Sequence, residues 1–241
     1  LAAQHADELH GNFGFHAVRR LPGNVGYLDF RYFSGDAAVG GAIAAAMTFV
    51  ANTDALIIDL RHNGGGATTA AQTLEAYFFA DQQQLTSLML RDPATGVVHE
   101  QQQYTAATVA GPLYLDKPIY ILTGERTFSC AEQFTYDLRN LKRVTIVGQT
   151  TGGGANPGDM LPLGSSFALF VPTGRAYSPV TKTNWEGTGI APDVAVPTAD
   201  ALPRAYVLAL DALEKKQRDA ELQAEATRAK ADPATALADG E

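Results

Sequence analysis

Residues 118–141, Pro-Ile-Tyr-Ile-Leu-Thr-Gly-Glu-Arg-Thr-Phe-Ser-Cys-Ala-Glu-Gln-Phe-Thr-Tyr-Asp-Leu-Arg-Asn-Leu, constrain the fold more than any other stretch. Pro118 to Leu122 is a short run of apolar, β-branched and aromatic residues that stops at Thr123-Gly124, the pattern of a buried strand. From Ala131 onward, Ala131, Phe134, Leu138 and Leu141 recur at three- and four-residue steps and predict one apolar helical face. Ser129 falls where the turn becomes the helix. A hydroxyl there projects beyond the end of a sheet, and the first free amides of the helix surround it. A nucleophile needs that setting, with donors ready for the oxyanion it creates. The same serine, with Glu132 three residues later, also spells a capping box, a helix start worth about 0.5–2 kcal/mol. Taken alone, the stretch favours the cap.

Strands alternate with helices along the rest of the chain, which predicts an α/β fold with a mixed sheet. Residues 25–33 alternate Tyr27, Asp29 and Arg31 against Leu28, Phe30 and Tyr32, a half-buried strand entered by the turn Pro22-Gly23-Asn24. Asp36 is placed to cap a helix over residues 37–51. Residues 55–60 are apolar on both faces and read as a central parallel strand. That strand runs straight into Arg61-His62-Asn63-Gly64-Gly65-Gly66 and a helix over residues 67–80. Three glycines between strand and helix are entropically unfavourable. They fit a backbone that approaches another group closely or aims its amides at an anion. His62, beside this loop, is a candidate base, although a lone histidine after a strand is more often a surface residue.

Residues 85–90 and 97–104 flank Asp92-Pro-Ala-Thr-Gly96 as a hairpin. A second glycine cluster (Gly152, Gly153, Gly154) follows the strand at residues 144–148. It contains neither GxGxxG nor a Walker lysine–hydroxyl pair, so it reads as a flexible or substrate-lining loop over residues 149–158. Residues 166–171 form a further strand. Trp185 stands next to Glu186, which predicts partial burial of that carboxylate. Residues 200–213 form a helix. Residues 1–20, with His5, His10 and His16, read as a solvated entry segment. Residues 214–241 read as a protruding or frayed helical tail, which leaves residues 21–213 as the core domain.

The 241 residues carry a net charge of −8 and are 46% apolar. A sizeable core follows, and nucleic acid or an anionic membrane is disfavoured as the main partner. Cys130 is the only cysteine, which excludes an internal disulfide and a thiolate metal cage. The three N-terminal histidines do not share one helical face, so neither metal nor cofactor is expected. No stretch approaches a membrane span. The chain begins at Leu1 without Met or a signal peptide, the expectation for a mature form or an excised fragment.

Four segments occur in one order: Asp59-Leu-Arg-His-Asn-Gly-Gly-Gly66, Thr127-Phe-Ser-Cys-Ala-Glu132, Val147-Gly-Gln-Thr-Thr-Gly-Gly153 and Glu186-Gly-Thr-Gly-Ile-Ala-Pro-Asp193. In this the chain resembles the tail-specific (C-terminal processing) serine peptidases. The likeness is greatest to the branch that includes the tricorn protease core and the repeats of interphotoreceptor retinoid-binding protein. The resemblance implies a crotonase-like (ClpP/crotonase) ββα core with a mixed sheet and flanking helices. It also implies cleavage of peptides or unfolded proteins. Carried over by position, it makes Ser129 the nucleophile, the amides of Gly65 (or its neighbours) and Cys130 the oxyanion hole, and Glu186 the supporting acid. Gly64, Gly66, Gly153 and Gly154 would line the substrate. Members with a Ser–Lys dyad place the lysine 25 residues past the serine, and 129 + 25 = 154 is a glycine here, so a dyad is not expected. The tricorn-like alternative takes a histidine from a helical segment ahead of the core. None of His5, His10 or His16 sits in such a motif, so the base is expected from an N-terminal region outside this chain. Two other readings stay open: an inactive module that binds apolar ligands or peptides, and acyl-thioester chemistry on the same core, for which no basic cluster suits a coenzyme A phosphate. Homo-oligomerisation is left open, and an exported or periplasmic location is expected over a cytoplasmic one.

Overall fold

The computed structural model describes residues 2–92, 94–214 and 219–238. Pro93 of the predicted hairpin turn and residues 215–218 and 239–241 of the predicted tail lie outside the described residues. In chain order the elements begin with α1 (Ala2–His10), β1 (Phe15–Leu21), β2 (Val25–Phe30), α2 (Val39–Val50), β3 (Ala55–Asp59) and α3 (Thr68–Ala76). Next come β4 (Ser87–Arg91), β5 (Val98–Gln101), β6 (Ile119–Thr123), α4 (Cys130–Asn140) and β7 (Thr145–Gly148). The chain continues with β8 (Gly158–Leu163), β9 (Phe167–Pro172), β10 (Gly174–Tyr177), β11 (Val194–Ala195), α5 (Ala201–Glu214), α6 (Ala220–Ala231) and α7 (Pro233–Ala238).

Six strands form the main sheet in the order β1-β2-β3-β6-β7-β11. Only the β1–β2 pair is antiparallel; the other neighbours run parallel. Side chains alternate between two helical layers, as the two-residue period of a strand requires. Leu56, Ile58, Ile119 and Ile121 pack with α2, α3 and α4, while Ala55, Ile57, Tyr120 and Leu122 pack with α5 and Ala229 and Ala236 of the tail. Because β3, β6 and β7 are parallel, their carboxyl ends share one edge. The loops that leave them therefore converge, which is where open α/β sheets hold their sites.

Several expectations change. β2 is buried at every residue, not half-buried, because α5 covers the face on which Tyr27 and Asp29 lie. The polar groups there are satisfied: Tyr27 donates to Asp59 at 2.9 Å, and Arg31 holds Asp29 through two contacts. The predicted entry segment is structured over its second half, since β1 pairs with β2 from Phe15 to Leu21. The described residues of the tail do not protrude. α6 and α7 fold back on α5, burying Ala229 and Ala236, and Arg19 donates to the Leu237 carbonyl at 2.7 Å. Pro233 starts α7 in the first-turn position, where its missing N–H costs nothing. The hairpin predicted around residue 92 is β4–β5, joined by β10 into a separate three-stranded sheet. Proline and glycine at Pro162 and Gly158 disguised β8, which pairs with β9 as a projecting hairpin. Its Met160, Leu161, Leu163, Phe167, Leu169 and Phe170 are all exposed.

Candidate active site

Ser129 is solvent-exposed at the turn between β6 and α4. The capping box with Glu132 is present, and the Ser129 N–H donates to Glu132 Oε2 at 2.9 Å. A cap alone does not explain the backbone. Cap residues adopt extended φ/ψ, whereas Ser129 lies at φ 53° and ψ −120°. A non-glycine residue in so sparsely populated a region costs about 1–3 kcal/mol and is held there by its surroundings. The same strained turn, placing a serine at the head of a helix above a parallel sheet, is how nucleophiles are presented to substrate. Thr127 anchors the turn by donating to the Leu60 carbonyl at 2.7 Å and accepting the Gly124 N–H at 3.0 Å.

The triple-glycine loop lies against this serine. A Cβ on Gly65, whose φ is +104°, would stand 2.8 Å from Ser129 Cβ and 2.9 Å from the Cys130 nitrogen. A Cβ on Gly66, at φ +134°, would stand 2.0 Å from the Phe33 carbonyl oxygen. Close approach of backbone to its surroundings is therefore the reason for Gly65 and Gly66, whereas a Cβ on Gly64 would meet nothing within 4 Å. Fully buried Asn63 organises the loop: it donates to the Phe30 carbonyl at 2.9 Å and accepts the Gly65 N–H at 2.9 Å. The Gly65 amide, assigned to the oxyanion from sequence, is thus already engaged. Among the described residues, the N–H groups of Gly64, Gly66 and Cys130 have no acceptor.

The second glycine loop is pinned, not flexible. Four consecutive amides give their protons to two carboxylates. Gly153 and Gly154 donate to Glu132 Oε1 and Oε2 at 2.7 and 2.8 Å. Ala155 and Asn156 both donate to Glu186 Oε2, at 2.7 and 2.9 Å. Glu186 is exposed, contrary to the expectation from its neighbour; Trp185 alone is buried, packed on Tyr136 and donating to the Gly154 carbonyl at 3.2 Å. At Gly154, the dyad-lysine position, a Cβ would stand 2.1 Å from Phe128 Cζ. The ring of the residue before the nucleophile occupies the space that a side chain there would need.

The histidines do not gather. His5 Nδ1 meets Asp36 Oδ2 at 2.6 Å, His10 Nδ1 meets the Ala6 carbonyl at 2.8 Å, and His16, His62 and His99 are exposed. Among the described residues no group of histidine, cysteine or acidic side chains is placed to hold a metal ion. Under the serine, α3 and α4 bury two acids that sequence reasoning passed over. Burial raises the Asp137 carboxyl to about 7, against two hydrogen bonds from Thr86. Burial, then repulsion from Asp137, raises Glu75 well above its ordinary value, and both its oxygens lack a hydrogen-bond partner among the described residues. The Cys130 thiol is pushed well up by burial and by these two acids. Their positions on the apolar stripes of α3 and α4 were the available signal.

Residues 24–196 match peptidase family S41. The chain belongs to that family. This S41 chain is 28% identical over 193 residues to the carboxy-terminal-processing protease of Bartonella bacilliformis, covering 78% of this chain and 42% of that protein. It spans about two-fifths of the length of the curated relatives it matches, 42% and 38% of two of them. Among solved structures, photosystem II D1 C-terminal processing protease is 22% identical with a TM-score of 0.55, over 72% of this chain and 42% of that one. A lipoprotein from Streptococcus agalactiae is 17% identical with a TM-score of 0.62, over 88% of this chain and 74% of that one. At such identities the structural likeness speaks to the fold: a mixed α/β framework around a mostly parallel sheet.

Proposed function

We propose that this chain is the catalytic core of a serine endopeptidase of the tail-specific type, built on a crotonase-like ββα framework and acting on peptides or unfolded proteins. The observation that carries this reading is the exposed Ser129, held at positive φ at the carboxyl edge of the sheet with the Gly65 backbone against it. In the reaction, Ser129 Oγ bonds to the peptide carbonyl carbon and its proton passes to an imidazole. The Cys130 N–H and a flanking glycine amide, Gly64 or Gly66, stabilise the oxyanion; losing one such donor costs about 3–4 kcal/mol of transition-state stabilisation. The tetrahedral intermediate then expels the amine, which takes the proton from the imidazolium, and water releases the acyl group by the same steps. Glu186 keeps Oε1 without a partner among the described residues and is the carboxylate left to orient that imidazole. The proposal includes an exported or periplasmic location, read by cell fractionation.

A fluorophosphonate probe on the full-length protein tests the nucleophile: labelling is expected, and Ser129→Ala abolishes it. A folded full-length protein that is never labelled would sink the reading. His62→Ala tests the imidazole nearest the glycine loop in sequence; retained labelling assigns the base to another segment. The exposed apolar side chains of the β8–β9 hairpin favour the alternative of an apolar-ligand-binding module. An unlabelled protein that retained a retinoid would establish that alternative.

A further inference from the structure

Glu132 makes more hydrogen bonds than a helix cap uses. It is fully buried, and four donors converge on its two oxygens: Ser129 N–H (2.9 Å) and Gly154 N–H (2.8 Å) on Oε2, Thr151 Oγ1 (2.5 Å) and Gly153 N–H (2.7 Å) on Oε1. Only the Ser129 bond serves the helix start. The other three reach a separate segment, the loop after β7, and tie it to the nucleophile's own backbone. Thr151 extends the chain of contacts by accepting the Ile190 N–H at 2.8 Å, and Gly152 N–H donates to the Thr127 carbonyl at 3.0 Å. The loop is thereby clasped from the serine turn on one side and from residues 185–190 on the other, where Gly187 N–H donates to the Gly153 carbonyl at 2.8 Å.

Glutamine serves a capping box as well as glutamate does, so capping does not require an anion at this position. The donor set does. A carboxylate presents acceptor sites on both oxygens and no proton, and it is the only side chain of this length that satisfies two donors on each. An amide would turn an NH2 toward either the Ser129/Gly154 pair or the Thr151/Gly153 pair, leaving buried donors unmatched.

We infer that Glu132 is a positioning residue: its carboxylate locks the strained Ser129 turn and the 151–154 loop into one rigid unit. The two walls of the substrate cleft, one carrying the nucleophile and the other facing it, would then keep a fixed separation. This rests on the peptidase reading for its catalytic meaning, but the mechanical claim can be measured without activity.

The test compares wild type, Glu132→Gln and Thr151→Val in the full-length protein. Amide hydrogen exchange is read at Ser129, Gly153 and Gly154, beside the fluorophosphonate labelling rate and the kcat and KM for a peptide. Glu132→Gln is expected to speed exchange at all three amides together by about 100-fold, and to lower kcat and the labelling rate by a similar factor with KM nearly unchanged. Thr151→Val keeps the carboxylate and deletes one of its donors, together with the acceptor of the Ile190 N–H; it is expected to speed exchange at Gly153 and Gly154, as well as Ile190, by about tenfold while the amides within α4 hold. Should Glu132→Gln fail to fold, Thr151→Val decides alone. Unchanged exchange at Gly153 and Gly154 in the folded variants would overturn the inference and leave Glu132 a cap. Wild type that is protected at these amides yet never labelled would instead defeat the peptidase reading and leave the clasp standing.

Discussion

Asp137 lies on α4 two turns beyond Ser129, and neutralising it should make the protein more stable, in a pH-dependent way. Its carboxyl titrates at 3.8 in the unfolded chain and is raised to about 7 in the fold, chiefly by burial. Between those values the native state holds a proton that the unfolded state has released. The stabilisation is fully present below pH 3.8, drains away as pH rises toward 7, and is gone above it. The rise from 3.8 to about 7 corresponds to about 4 kcal/mol in total, more than half of it lost between pH 5 and pH 8. Asp137→Asn keeps an oxygen for the Thr86 N–H and hydroxyl, which now bond Asp137 Oδ1 at 2.9 and 2.6 Å. It places an amide where Oδ2 has no hydrogen-bond partner among the described residues. Urea unfolding of Asp137→Asn should therefore show a gain of about 4 kcal/mol at pH 8 that shrinks toward zero near pH 4. For a chain of this size such a gain raises Tm by about 8–16 °C. A variant that is less stable than wild type at pH 8, or that keeps the full wild-type slope between pH 5 and pH 8, would refute the assignment of the buried charge to Asp137.

Two further outcomes follow from the close approaches at the site. Gly65→Ala drives a Cβ to within 2.8 Å of Ser129 Cβ at a φ of +104°; activity should fall below detection, with a stability loss of about 2–4 kcal/mol in urea unfolding. Gly154→Ala collides with the Phe128 ring, which is 44% exposed. It should cost less than about 1 kcal/mol of stability yet lower the labelling rate of Ser129 severalfold, and the double variant Phe128→Ala/Gly154→Ala should recover part of that rate. Additive effects of the two substitutions would show that the ring and the loop do not communicate.

Much of the framework could be read along the chain. Strands β3 and β6 and helix α4 announce themselves by local pattern, because a strand buried on both faces needs an unbroken apolar run and a packed helix needs its stripe. The triple glycine, the serine turn and the absent lysine at residue 154 were equally plain, since each is a local choice of residue type. Other features depend on segments far apart in sequence. β2 looked half-exposed until α5, some 170 residues later, covered its polar side. The tail looked solvated because its buried contacts with α5 are made by alanines, Ala229 and Ala236, whose small size carries no periodic signal. Above all, the reach of Glu132 was invisible: a glutamate three residues after a serine spells a cap whether it binds one amide or four donors. Only the parallel packing of β6 beside β7 brings the loop after one strand over the helix after the other, and that neighbourhood turned a capping residue into the clasp of the site.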